Sequence, residues 1–225
     1  YLSYVAAGEM KGRRLEGVPT ALVDGQGGVF DIILDPNFTE NRTVYLSYAK
    51  GSGDANSTAI FKAQLNEEMT AIEKGADIFV APTKRATSFH FGGRMTFLGD
   101  GTLMMGLGDG FRYMKDAQSP MNSHGTIIRI NTDGSIPADN PYADGESGLP
   151  VVYSYGHRNV QGLAYDAASD TIYAHEHGPK GGDEINIVES GLNYGWPEIT
   201  YGVNYDGTII TTKTEAPGME QPILK

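Results

Sequence analysis

Three stretches of the 225-residue chain repeat one grammar: an apolar strand, a turn rich in Asp, Asn or Gly, and a second strand heavy in aromatics or methionine. The first runs from Val29 through Asp35-Pro36-Asn37 to Val44-Tyr45-Leu46-Ser47-Tyr48. The second runs from Gly93 through Gly99-Asp100-Gly101 to Leu103-Met104-Met105-Gly106-Leu107. The third runs from Gly162 through Asp166-Ala167-Ala168-Ser169-Asp170 to Thr171-Ile172-Tyr173-Ala174. Their starts lie 64 and 69 residues apart, with further strand candidates between them at Ala59 to Leu65, Asp77 to Ala81, Thr126 to Asn131 and Val151 to Tyr155. Four strands returning at a fixed period is the blade pattern of a β-propeller. A β-sandwich with coincidental spacing is the competing reading, and only Asn66 to Lys74 offers a helical turn or two.

Composition supports the all-β expectation. The chain holds 30 Gly and 11 Pro, about 18% together against a usual ~12%, which demands many turns. At this period 225 residues make about three and a half blades, whereas propellers close with four to eight. An unclosed ring would leave sheet edges exposed. Residues 1–225 therefore read as a single domain that is an incomplete propeller, an arc of three to four blades from a larger ring. The chain begins at Tyr1 without an initiator Met or secretory leader and ends in Pro222-Ile223-Leu224-Lys225, which reads as the start of another strand. Processing or truncation is the expectation at both ends.

A formal net charge of −11 argues against a nucleic-acid binder, because nothing would replace the counterions of a phosphate backbone. No run of eighteen apolar residues exists to span a membrane. The absence of cysteine excludes disulfides, thiolate zinc sites and a cysteine nucleophile.

Polar residues cluster where strands give way to loops, the usual place for function on a rigid β scaffold. His90 lies in Phe89-His90-Phe91-Gly92-Gly93-Arg94, where its imidazole could serve as a neutral base near pH 7 or simply be a buried, hydrogen-bonded histidine. Asp109, one hairpin later in Gly106-Leu107-Gly108-Asp109-Gly110, could orient that imidazole or be an ordinary turn residue. Tyr155-Gly156-His157-Arg158-Asn159-Val160-Gln161-Gly162 offers forked donors for a carboxylate or quinone oxygen, or is a plain polar loop. His175-Glu176-His177-Gly178-Pro179-Lys180-Gly181-Gly182-Asp183-Glu184 lacks the i, i+4 spacing of a zinc helix. Its glycines near carboxylates suit calcium better, and the alternative is a tight loop capping a blade. Trp196, the only tryptophan, reads on its own as a packing anchor, and Gln26 as a loop residue. Asn37, Asn41 and Asn56 each open an N-x-S/T triplet that carries little information.

Taken together and in order, Gly25-Gln26-Gly27-Gly28, His90-Phe91-Gly92-Gly93-Arg94, Tyr155-Gly156-His157-Arg158-Asn159, Glu176-His177-Gly178-Pro179-Lys180-Gly181-Gly182-Asp183-Glu184-Ile185-Asn186 and Asn193-Tyr194-Gly195-Trp196-Pro197 are far more specific than any one of them. The chain resembles the soluble quinoprotein sugar dehydrogenases, in particular the aldose sugar dehydrogenase branch of the glucose/sorbosone dehydrogenase family, over nearly its whole length. The resemblance implies a six-bladed propeller that binds pyrroloquinoline quinone (PQQ) and calcium, oxidises an aldose at the anomeric carbon to a lactone, passes electrons to an external acceptor, and works in the periplasm or outside the cell. By resemblance His90 is the general base, Asp109 its supporting carboxylate, and Arg158 the contact to the quinone oxygens. Asn159 and His177 are cofactor contacts and Gln26 a substrate-side position. The backbone oxygens of Gly178 and Pro179 hold the catalytic calcium, and Glu184 and the Tyr194 carbonyl a second one.

Val160 stands where the family usually has proline, and the resemblance implies that the cationic residues holding the PQQ carboxylates come from later blades, beyond Lys225. A non-catalytic binding propeller is the alternative, but it would have no reason to keep His90, Asp109, Arg158 and Asn159 together. A lactonase-type calcium propeller would need carboxylate and Asn ligands in a pattern not found here.

Overall fold

The computed structural model describes residues 15–225 and, before them, two short strands, β1 (Tyr4–Ala6) and β2 (Glu9–Lys11). The rest of the chain is a succession of antiparallel meanders, each strand bonded to the next in sequence. The first sheet holds β3 (Val29–Leu34), β4 (Thr43–Ser52), β5 (Ala55–Leu65) and β6 (Ile72–Val80). The second holds β7 (Gly92–Phe97), β8 (Leu103–Leu107), β9 (Thr126–Ile130) and β10 (Val152–Tyr155). The third holds β11 (Val160–Asp166), β12 (Thr171–Glu176) and β13 (Glu184–Ile187). The period seen in the sequence is therefore the period of the sheets. On the outer edge of β13, Ile185 pairs with Leu224 through backbone bonds, where a fourth strand of this sheet would sit.

Side chains that alternate along each strand fill the gaps between sheets. In β8, Leu103, Met105 and Leu107 pack with Tyr45, Ile60 and Phe79 of the first sheet, while Met104 joins Val160, Ile172 and Ala174 of the third. This strand is buried on both faces, which is why it reads as an unbroken apolar run rather than an alternating one. Burying each such side chain contributes about 1.5–3 kcal/mol. On the far face of the first sheet, Val44, Leu46 and Ala63 are covered by Leu15 and Val18.

One local expectation fails. Asn66 to Lys74 is not helical: the Asn66 side chain accepts the amides of Thr70 and Ala71, closing a turn that leads into β6. Asparagine commonly diverts the backbone in this way. Helical turns lie instead at α1 (Phe38–Asn41) in the first hairpin and, as a 3-10 turn, at Met114–Gln118 before β9. After His177 a short loop leads into β13, whose Glu184 pairs in register with Glu176.

Candidate functional site

The first strands of the three sheets stand side by side, β7 packing against both β3 and β11. Gln26, His90 and Arg158 each lie two or three residues before one of these strands, so they share one end of the row. Because neighbouring strands are antiparallel, the loops leaving β8 and β12 come to the same end and bring Asp109, His177 and Gly178.

His90 is buried, with a positive φ of 50°. Its backbone N–H donates to the Gln26 side-chain oxygen at 2.8 Å, and its Nδ1 lies 2.7 Å from Asp109 Oδ1. Neighbouring Gly108 permits this closeness: a Cβ there would sit 2.0 Å from the His90 carbonyl oxygen. Asp109 is only 1% exposed, so each carboxylate oxygen must find a donor. Oδ1 also accepts the Phe111 N–H at 2.7 Å, and Oδ2 accepts the Trp196 indole N–H at 2.8 Å. Among the described residues His90 Nε2 has no hydrogen-bond partner, and it is not a buried orphan. That leaves one ring nitrogen held by a carboxylate and the other available.

Trp196 ties this pair to Arg158, whose guanidinium lies 5.3 Å from the indole centroid. Arg158 is buried and donates from one terminal nitrogen to the carbonyls of His177 and Gly178, each at 2.8 Å, and from the other to Tyr205 Oη at 3.3 Å. Its backbone carbonyl accepts the Asp109 N–H, and its backbone N–H donates to Glu176 Oε2 at 2.5 Å. Glu176 Oε1 in turn meets His157 Nδ1 at 2.9 Å, and the His157 ring stacks on Tyr194. Asn159 spends its side-chain oxygen on the Gly92 N–H and on Gln161.

Beneath His90, Arg85 donates to the His90 carbonyl at 3.1 Å. Burial brings its guanidinium down to about 10, opposed by Asp109 and Tyr113.

The loop after β12 is more open. The His177 side chain is 58% exposed and only loosely paired with Asp183, at 3.7 Å. Asp183 accepts the Gly178 N–H. The alternation of β12 separates His175 and His177 from Glu176, which lies buried between two exposed histidines. Among the described residues no three His, Asp or Glu side chains gather as a metal-ligand group. Glu184 and Tyr194 do share the wall of a cavity of ≈ 10 Å³ with Glu176 and Arg158. Burial, helped by repulsion from Glu176, lifts the Glu184 carboxyl to about 7. Beside it, Asn186 has a buried Oδ1 without a partner. Two crowded carboxylates, an orphaned amide oxygen and backbone carbonyls are hard oxygen donors that fit calcium. Arg158, with guanidinium N–H groups still free, fits an anionic quinone.

Gln26, His90, Asp109, Arg158, Asn159, His177, Gly178 and Glu184 thus fall at one end of the sheets, whereas Asn37 and Asn41 lie in the turn at the other end of β3. The roles of Trp196, Glu176 and Arg85 did not show in the sequence. The one available signal was that Trp196 is the sole tryptophan and sits in a Gly-Trp-Pro turn.

The chain is an all-β protein built of successive meanders, with a His-Asp pair and a buried arginine at one end. The family model for glucose/sorbosone dehydrogenase matches residues 1–225, and the chain belongs to that family. It is 38% identical over 226 residues to the aldose sugar dehydrogenase YliI of Escherichia coli (strain K12), covering 99% of this chain and 61% of that protein. The crystal structure of the soluble aldose sugar dehydrogenase from Escherichia coli in its apo form superposes with a TM-score of 0.93 at 36% identity, covering 99% of this chain and 65% of that one. The PQQ-bound aldose sugar dehydrogenase from Streptomyces coelicolor gives a TM-score of 0.78 at 29% identity, with 98% and 60% covered. The chain thus spans less than two thirds of the relatives it matches. These relatives are aldose sugar dehydrogenases.

Proposed function

We propose that the whole protein is a six-bladed quinoprotein sugar dehydrogenase in which residues 1–225 form an arc of three to four blades. In this reading it oxidises the anomeric carbon of an aldose to a lactone, with PQQ and calcium, an external electron acceptor, and a periplasmic or secreted location. The observation that carries the reading is the unbroken linkage His90–Asp109–Trp196–Arg158. It joins a candidate base to a candidate anion contact through one buried carboxylate and one indole.

When bound, PQQ supplies the two-electron acceptor for hydride from the anomeric carbon, and calcium polarises its reactive carbonyl. The chain's own residues do the rest. His90 Nε2 takes the proton of the anomeric hydroxyl, while Asp109 fixes the tautomer through Nδ1 and stabilises the imidazolium. Gln26, its oxygen already bound to the His90 N–H, has its amide NH2 as the donor for a sugar hydroxyl. Arg158 offers fixed positive charge to the quinone oxygens, with Asn159 and His177 as further cofactor contacts. The carbonyls of Gly178 and Pro179 would hold the catalytic calcium, and Glu184 with the Tyr194 carbonyl the second. A binding module would need no histidine with one nitrogen braced and the other free.

The test is a dye-linked aldose oxidation assay on the full-length protein, with and without PQQ and calcium. Turnover is expected only with quinone, and turnover without bound or added quinone would overturn the reading. Residues 1–225 alone are expected to show none, because PQQ carboxylates left without cationic partners forfeit about 1.5–3 kcal/mol each.

A further inference from the structure

Phe89 and Phe111 are 46% and 45% exposed, two large apolar side chains facing solvent beside the buried His90. Their ring centroids lie 5.9 Å apart, and the Phe111 ring stands edge-on to the His90 imidazole at 5.1 Å and 88°. Phe111 also has a φ of 64°, a conformation a bulky L-residue rarely adopts. Its N–H is held by Asp109 Oδ1, the same oxygen that braces His90. The turn that orients the imidazole therefore also forces an aromatic ring out beside it. Strain of this kind persists where the surroundings over-determine it, commonly at ligand contacts.

The surroundings narrow what that wall can face. Beside His90 lie both the apolar Phe89–Phe111 pair and the exposed Gln26 side chain, whose oxygen holds the His90 N–H. Arg158 is linked to His90 through Trp196 and Asp109 rather than through the aromatic pair. A ligand that meets both the aromatic pair and the Gln26 amide beside His90 needs a flat C–H face and an edge of hydroxyls. A pyranose has both.

We propose that Phe89 and Phe111 form an aromatic platform that packs against the C–H face of the aldose ring and so sets its position and the preference among sugars. The inference rests on the proposed sugar oxidation. It makes the pair substrate-positioning residues, with proton transfer left to His90.

The test uses full-length protein loaded with PQQ and calcium. D-Glucose is the substrate, and 1,5-anhydro-D-glucitol, which keeps the ring face but has no anomeric hydroxyl to oxidise, is the competitor. Phe89→Ala and Phe111→Ala should each raise KM for D-glucose and Ki for the competitor by about tenfold, the scale of losing one aromatic contact. The effect on KM should exceed that on kcat, and Phe89→Tyr should restore most of the affinity. Saturation-transfer NMR on the wild type should show the competitor's axial ring protons closest to the protein, which keeps the inference testable if an alanine variant does not fold. Unchanged KM and Ki in folded variants, or a loss confined to kcat, would overturn the platform while leaving the dehydrogenase reading intact. A wild type without quinone-dependent turnover would remove both.

Discussion

The two sides of Arg158 are built differently. Towards Asp109 and His90 the carboxylate is dry and both of its oxygens are paired, one of them with the Trp196 indole. Towards His177 and Glu184 the histidine and Asp183 face solvent, two glutamates crowd one another, and the Asn186 oxygen has no partner. On the first side the Asp109 carboxylate is satisfied by protein atoms alone. The second has the donor chemistry of a place finished by a cation. A buried carboxylate beside another is costly until a positive charge sits between them.

The sharpest way to break this contrast is at the base. His90→Gln in the full-length protein should lower kcat by about 10³-fold, within the usual range for a general base, with PQQ binding nearly unchanged. Near-wild-type turnover would take His90 out of the chemistry. Next in size is Trp196→Phe, which leaves Asp109 Oδ2 without its indole donor. A lost bond to a charged group of about 1.5–3 kcal/mol predicts a kcat lower by roughly ten- to a hundredfold. An unaffected pH–rate profile and kcat would show that the indole only fills space.

The open side is tested through stability. If a calcium ion is held by Glu184 and the Tyr194 carbonyl, removing it should lower Tm by several degrees, since an ion present at 100 Kd contributes about 2.7 kcal/mol. Glu184→Ala should abolish that dependence. A Tm indifferent to chelator in protein shown to bind calcium would contradict the assignment.

The smallest expected effect separates the two sides by sign. In chelated protein Glu184, lifted to about 7 from 4.5, binds a proton in the folded state that the unfolded state releases. Its contribution is full below about pH 4.5 and is lost as pH rises to about 7. His124 lies on the closed side. Burial lowers its pKa from 6.5 despite its bond to Asp116, so its contribution is present above pH 6.5 and lost as pH falls. Denaturant midpoints between pH 4.5 and 8 should lose the first trend in Glu184→Gln and the second in His124→Gln. Variants whose midpoints both follow the wild type would remove these groups from the pH dependence.

The sequence was most readable where one physical cause acted alone. Turn-separated apolar strands exposed the repeating sheets because side-chain alternation and turn chemistry are local. The loop motifs located His90, Asp109, Gln26, Arg158, Gly178 and Glu184 at one end of the strands. What the sequence concealed depends on distance in space. The indole of Trp196 bonds a carboxylate 87 positions earlier, and Glu176 looked like part of a His-Glu-His cluster until alternation separated its face from theirs. The strand β13 was hidden because Glu184 and Asn186, poor strand formers, occupy half of it.

Trp196 has a practical consequence as well. It is the only tryptophan in these 225 residues, and it lies between the Asp109 carboxylate and the Arg158 guanidinium. Any shift in the tryptophan emission of this chain therefore originates at the centre of the site. That fluorescence reports on the surroundings of the Asp109–Trp196–Arg158 link directly, with no label and no turnover.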